Sequence, residues 1–71
     1  MNDRLVTSTI VETLGRNGAL NVEDLYKSVK KLHDDIEKRP FEETLMALEL
    51  QGLIRVYNMT RDKRRVELTK G

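Results

Sequence analysis

Apolar residues at helical spacing predict an amphipathic helix at the start of the chain. Val6, Ile10 and Leu14 recur every four residues, and the helix should begin near Asn2 or Asp3. The segment 15–18 reads Gly-Arg-Asn-Gly, and these residue types tolerate a positive φ and end helices. We therefore expect the first helix to stop at this segment, and Ala19 and Leu20 to form a very short strand.

A second helix is predicted to begin after Asn21. Asparagine is a favourable N-cap, and the acidic residues Glu23 and Asp24 complement the positive end of the helix dipole. The segment 33–35 interrupts the pattern and ends the helix. The predicted buried stripe consists of Val22, Leu25, Val29 and Leu32.

The third helix has the clearest boundaries. Pro40 suits a first helical turn, and Gly52 suits the position after the last turn. Leu53 is expected to close a Schellman motif back onto Leu48. The predicted inward stripe consists of Phe41, Leu45 and Leu48.

From Leu53 onward the pattern changes to a period of two, which is typical of strands. One face would carry Ile54, Val56 and Asn58, and the other Arg55, Tyr57 and Met59. A polar turn over 61–64 leads to a second alternating segment that contains Val66 and Leu68. The C-terminal part is therefore predicted to be a β-hairpin.

Length and composition restrict the class of protein. With 71 residues the chain can build one core, so we expect residues 1–71 to form a single small α+β domain. The absence of cysteine excludes disulfides and thiolate metal sites, and no apolar run approaches the roughly 20 residues of a membrane span. We expect a cytoplasmic protein. Charged residues make up 35% of the chain but give a net charge of only +1, so any nucleic-acid surface depends on where the charges lie.

Two segments of the C-terminal half resemble winged helix-turn-helix transcription regulators. The end of the third helix matches the pattern L-x-x-L-E-x-x-G-L-I through Leu45, Leu48, Glu49, Gly52, Leu53 and Ile54. The hairpin resembles the wing of the MarR-like branch through Asp62, Arg64, Val66, Leu68, Thr69 and Gly71. The strand after Arg64 is shorter than that branch usually has, and its C-terminal dimerisation helix has no counterpart here. The resemblance covers about residues 19–71 and implies a winged helix, formed by three helices and a hairpin wing.

The resemblance also implies that the third helix enters the major groove of DNA while the wing lies on the backbone or in the minor groove. At about 100° per residue, the side opposite the apolar stripe carries Arg39, Glu43, Met46, Ala47 and Leu50. Residues 55–71 carry six basic side chains against Asp62 and Glu67. In the related proteins the aspartate orients an arginine of the wing. The candidate DNA contacts are Arg39, Glu43, Met46, Ala47, Arg61, Lys63, Arg64 and Arg65.

Alternative interpretations concern the same residues. A basic hairpin turn is often a solvated tip that prevents edge strands from pairing. Met46 and Leu50 lie four residues apart on one helical face, and with Arg39 they could form a self-association or partner surface. The leading hypothesis is a protein that binds double-stranded DNA and regulates transcription. The alternative is a winged-helix protein-interaction module of a larger complex.

Catalytic and cofactor chemistry has little support in the sequence. His33 lies near three carboxylates, Asp34, Asp35 and Glu37, but an aspartate-rich turn normally caps helices. The sequence contains no glycine-rich phosphate loop and no HExxH motif. Tyr26 and Tyr57 are expected to pack partly buried. We therefore expect no enzyme, no cofactor and no metal.

Overall fold

A computed structural model describes residues 3–69 and consists of helices packed on one antiparallel sheet. The elements in chain order are α1 (Asp3–Asn17), β1 (Leu20–Asn21), α2 (Val22–Leu32), α3 (Lys38–Leu50), β2 (Ile54–Thr60) and β3 (Lys63–Leu68). This is the predicted α+β arrangement. Asn2, one of the two predicted starts of α1, and Gly71 of the wing pattern lie outside the described residues.

Helix α1 ends within the segment 15–18, as predicted. Gly15 lies inside the helix, and the break falls at Gly18, which has a φ of 78°. The backbone N–H of Gly18 donates to the carbonyl of Leu14 at 2.8 Å and closes the last turn. Gly18 is the glycine whose missing Cβ permits a left-handed conformation, so it terminates the helix.

Helix α2 begins as predicted, but its last residue is not buried. Asn21 Oδ1 accepts a hydrogen bond from the backbone N–H of Glu23 at 2.8 Å, which caps the helix. Leu32 is 67% exposed, so its assignment to the buried stripe is wrong. The chain turns after Leu32 and brings Ile36, which is fully buried, into the core instead.

Helix α3 begins at Lys38, two residues before Pro40. Pro40 is therefore the third residue of the helix. Its C-terminus forms the predicted Schellman motif. The N–H of Leu53 donates to Leu48 O and the N–H of Gly52 donates to Glu49 O, both at 3.0 Å, with Gly52 at a φ of 79°. This tight ending places β2 directly after the helix.

The sheet has the order β1-β3-β2, and both pairs are antiparallel. Strand β1 is displaced by one residue from the predicted strand at 19–20 and pairs Leu20 with Val66. The predicted turn at 61–64 is shorter, because Lys63 already belongs to β3. A register irregularity between Asn58 and Thr60 lies just before this turn.

The core lies between the three helices and the inner face of the sheet. Its central aromatic residue is Phe41, whose ring lies 5.0 Å from the ring of Tyr26. Burial of this cluster holds α3 against α1, α2 and the sheet. The buried apolar side chains are Val6, Ile10, Leu14, Val22, Leu25, Val29, Ile36, Phe41, Leu45, Leu48, Ile54 and Val66.

Candidate nucleic-acid interface

The outward face of α3 consists of the residues that the helical spacing predicts. Arg39, Glu43 and Ala47 are exposed, Met46 is 61% exposed and Leu50 is 82% exposed. These side chains project away from the core because Phe41, Leu45 and Leu48 occupy the opposite side of the helix. The structure therefore brings five predicted residues onto one accessible face.

Carboxylates dominate the charge on the accessible sides of α3. Glu43 lies on the outward face, while Glu42 and Glu49 lie towards the sheet, where they border a groove of about 80 Å³. Leu45, Met46 and Val56 also line this groove, together with Arg64. A second depression of about 210 Å³ separates α3 from α1 and contains Glu43 and Ala47. A phosphate backbone near α3 would meet these negative charges.

Three cations of the wing, Arg61, Lys63 and Arg65, differ in how exposed they are. Arg61 lies in the turn and Lys63 begins β3, and both are exposed. Arg65 is half-buried and pairs across the ladder with Tyr57. Within residues 3–69, none of these three cations forms an ion pair. Arg61 and Lys63 are therefore available to an anionic partner.

Arg64 does not lie in the turn that the sequence predicts over 61–64, and the structure corrects its position. Arg64 belongs to β3 and shares the inner face of the sheet with Val66, because alternate residues of a strand face the same side. Its guanidinium donates to the carboxylate of Glu42 on α3, and this hydrogen bond raises the pKa of Arg64. Arg64 thus joins the wing to the third helix.

A second ion pair joins α2 to α3 near the first one. Lys38 Nζ lies 2.5 Å from the carboxylate of Glu23, and this hydrogen bond lowers the pKa of Glu23. Arg64 also contributes to the lowered pKa of Glu23 through its charge. Lys38 Nζ lies 5.2 Å from the centre of the Tyr26 ring. These contacts fix the start of α3 against α2.

Tyr57, on the outer face of the sheet, is more exposed than the sequence predicts. Tyr57 is 36% exposed, whereas Tyr26 is half-buried, as expected. The hydroxyl of Tyr57 donates to Glu67 Oε1 at 3.2 Å across the hairpin. Asp62 forms no ion pair within the described part of the chain, so the aspartate–arginine contact implied by the resemblance is not present here.

Hydrogen bonds join the aspartate-rich turn after α2 to α1 and to the end of α2. His33 Nε2 lies 2.9 Å from Thr9 Oγ1 on α1, and Lys30 Nζ donates to the carbonyl of Ile36 at 2.9 Å.

Over residues 3–69 no three metal-ligating side chains cluster. None of the described helices is both long enough and apolar enough to span a membrane.

The sequence interpretation missed Glu42 and Lys38, the residues on α3 that make the ion pairs. Both residues belong to the first two turns of α3, beside its outward stripe. Helical spacing could have indicated that Glu42 lies beside Met46 and Glu49, but not that it faces Arg64. That contact depends on how α3 packs against a strand that lies 22 positions further along the chain.

Comparisons with known proteins show the fold. The structure is similar to the crystal structure of the Campylobacter jejuni peroxide stress regulator, with a TM-score of 0.85 and 22% sequence identity. The similarity covers 96% of this chain and 50% of that chain, so this chain spans half the length of the regulator chain. No protein-family model and no curated protein match the sequence. The domain is a winged helix, and the predicted resemblance is confirmed at the level of the fold.

Proposed function

We propose that this winged helix binds duplex DNA as part of a transcription regulator, with the wing as its electrostatic anchor. The observation that carries the proposal is the pair of exposed cations at the wing, Arg61 and Lys63, which have no ion-pair partner within residues 3–69. Lysine and arginine side chains that reach phosphates release condensed counterions, which provides affinity without sequence preference. Arg65, half-buried beside them, extends the same cationic surface.

Helix α3 has a smaller role in this proposal. Arg39 is the one side chain of its outward face that can make a bidentate contact with guanine, while Met46 and Ala47 can contact thymine methyl groups. Glu43 would either accept from cytosine or repel phosphates. We therefore propose modest sequence specificity, with most of the affinity coming from the wing. The similarity to a peroxide stress regulator supports the class of function and says nothing about an operator.

A titration of fluorescent mixed-sequence duplex DNA at several salt concentrations tests the wing. Replacing both Arg61 and Lys63 by alanine should weaken binding and flatten the slope of log affinity against log salt by about 0.9 per lost phosphate contact. The matched control replaces two exposed cations elsewhere, Arg16 on α1 and Lys31 on α2, and should leave the slope nearly unchanged. Equal effects in both variants would contradict the assignment to the wing.

Selection from randomised duplexes tests the limited role of α3. The wild type should recover a preference of only one or two base pairs, and Glu43→Gln should bind all duplexes slightly more tightly because an exposed repulsive charge is removed. A long, sharply defined site would contradict the limited role of α3. A Gln variant with lower affinity would also contradict it, because Glu43 would then make a specific base contact. No DNA binding even at low salt would refute the proposal and favour a protein-interaction module.

A further inference from the structure

The hairpin of the wing leaves the core well before its turn. Val56 and Val66 face each other across the ladder and form the last apolar pair of the inner face towards the turn. We call residues 58–63 the wing tip, and all of them are exposed. Two strands alone are marginally stable, so the ladder by itself does not fix how the wing tip lies relative to the helices.

Arg64 lies at the point where the hairpin leaves the core. It pairs with Asn58 in the ladder and is the next inner-face residue of β3 after Val66 towards the turn. Its guanidinium donates to the carboxylate of Glu42 on α3, and the two side chains are only 40% and 30% exposed. Within residues 3–69 no other ion pair joins the wing to a helix.

The hairpin and α3 do not pack closely around this ion pair. A groove of about 80 Å³ lies between them, lined by Leu45, Met46 and Val56 together with both members of the pair. The pKa of Arg64 is raised first by its hydrogen bond to Glu42 and further by the charge of Glu23 on α2. Carboxylates of two helices therefore hold Arg64 where apolar packing is incomplete.

We propose that the Glu42–Arg64 ion pair fixes the wing tip relative to α3 and thereby positions Arg61 and Lys63 for DNA. This role rests on the proposed function, in which α3 and the wing contact one duplex together. Simultaneous contact requires one relative placement of the two elements, and the apparent affinity falls with the fraction of molecules that adopt it. Glu42 and Arg64 are thus positioning residues, which act through the cations of the wing tip.

Distances between two spin labels in the free protein test the fixation without DNA. The chain has no cysteine, so Leu50→Cys on α3 and Asp62→Cys in the turn provide two unique, exposed labelling sites. The distance distribution should be narrow in this background. Glu42→Ala should broaden it, and so should Arg64→Met, which removes the other partner. Glu49→Ala is the matched control and should leave it narrow, because Glu49 lines the same groove without an ion pair.

The direction of the change in DNA affinity separates positioning from simple electrostatics. Glu42→Ala removes a negative charge, so electrostatics alone would strengthen binding. Positioning predicts that binding weakens by about two- to fivefold, the factor that corresponds to one partly exposed ion pair. The slope of log affinity against log salt should keep its wild-type value, because Arg61 and Lys63 still reach phosphates. Glu49→Ala should bind at least as tightly as the wild type.

The two measurements distinguish a failure of this role from a failure of the proposed function. Circular dichroism of every variant should give the wild-type spectrum, which excludes unfolding as the cause of a broad distribution. Unchanged distances in both pair variants would overturn the inference. Tighter DNA binding by Glu42→Ala than by Glu49→Ala would also overturn it, because the pair would then withhold Arg64 from phosphates. A wild type that binds no DNA would refute the proposed function, and with it the positioning for DNA, whatever the label distances show.

Discussion

Replacing glycine by alanine at positions 15 and 52 should change stability in opposite directions. Gly15 lies inside α1, and an added Cβ would meet Leu68 Cδ1 at 3.9 Å, an ordinary van der Waals contact. Alanine there removes the entropic cost of a helical glycine and should stabilise the fold by about 0.5–1 kcal/mol. Gly52 has open space around it but a φ of 79°, which an L side chain adopts at a cost of about 1–2 kcal/mol.

Thermal unfolding followed by circular dichroism measures this difference. For a domain of this size, 1 kcal/mol corresponds to about 4–8 °C in Tm, so the two variants should differ by at least about 6 °C. Gly18→Ala, at a φ of 78°, is the matched control and should behave like Gly52→Ala. A Gly15→Ala variant as unstable as Gly52→Ala would refute the reasoning, because it would mean that α1 ends at Gly15 rather than at Gly18.

Three further changes test the core and the two ion pairs. Leu45→Ala should lower the free energy of unfolding by about 2–5 kcal/mol in urea denaturation, because this side chain is 3% exposed in the core. A double-mutant cycle of Glu42→Gln and Arg64→Met should give a coupling energy of about 0.5–1 kcal/mol, and a value near zero would mean that the pair contributes nothing. Lys38→Met should cost about 0.2–1 kcal/mol at neutral pH, since both partners are substantially exposed. The lowered pKa of Glu23 stabilises the fold above the ordinary value of 4.5, so the Lys38→Met difference should disappear as the pH falls through the folded pKa. A difference that persisted in acid would have another cause.

The elements of this fold follow closely from local patterns. The N-cap at Asn21 and the Schellman motif at Gly52 depend on residues within one turn of the helix end, and both form as predicted. The inward stripe of α3 follows from its period, and so does the outward face that carries Met46 and Leu50. The errors in the elements occur at their ends, as with the one-residue displacement of β1 and the shorter turn before β3, where neighbouring residue types permit more than one boundary.

The sequence by itself determined the helices, the hairpin and the identity of the exposed residues of α3, because these depend on periodicity and on residues close together in the chain. Only the tertiary structure decided which side chains of different elements contact each other. Burial of Ile36 leaves Leu32 exposed, and the packing of α3 on the sheet directs Arg64 to Glu42 rather than to the wing tip. An ion pair between residues 22 positions apart depends on the relative placement of two elements, which no local pattern specifies.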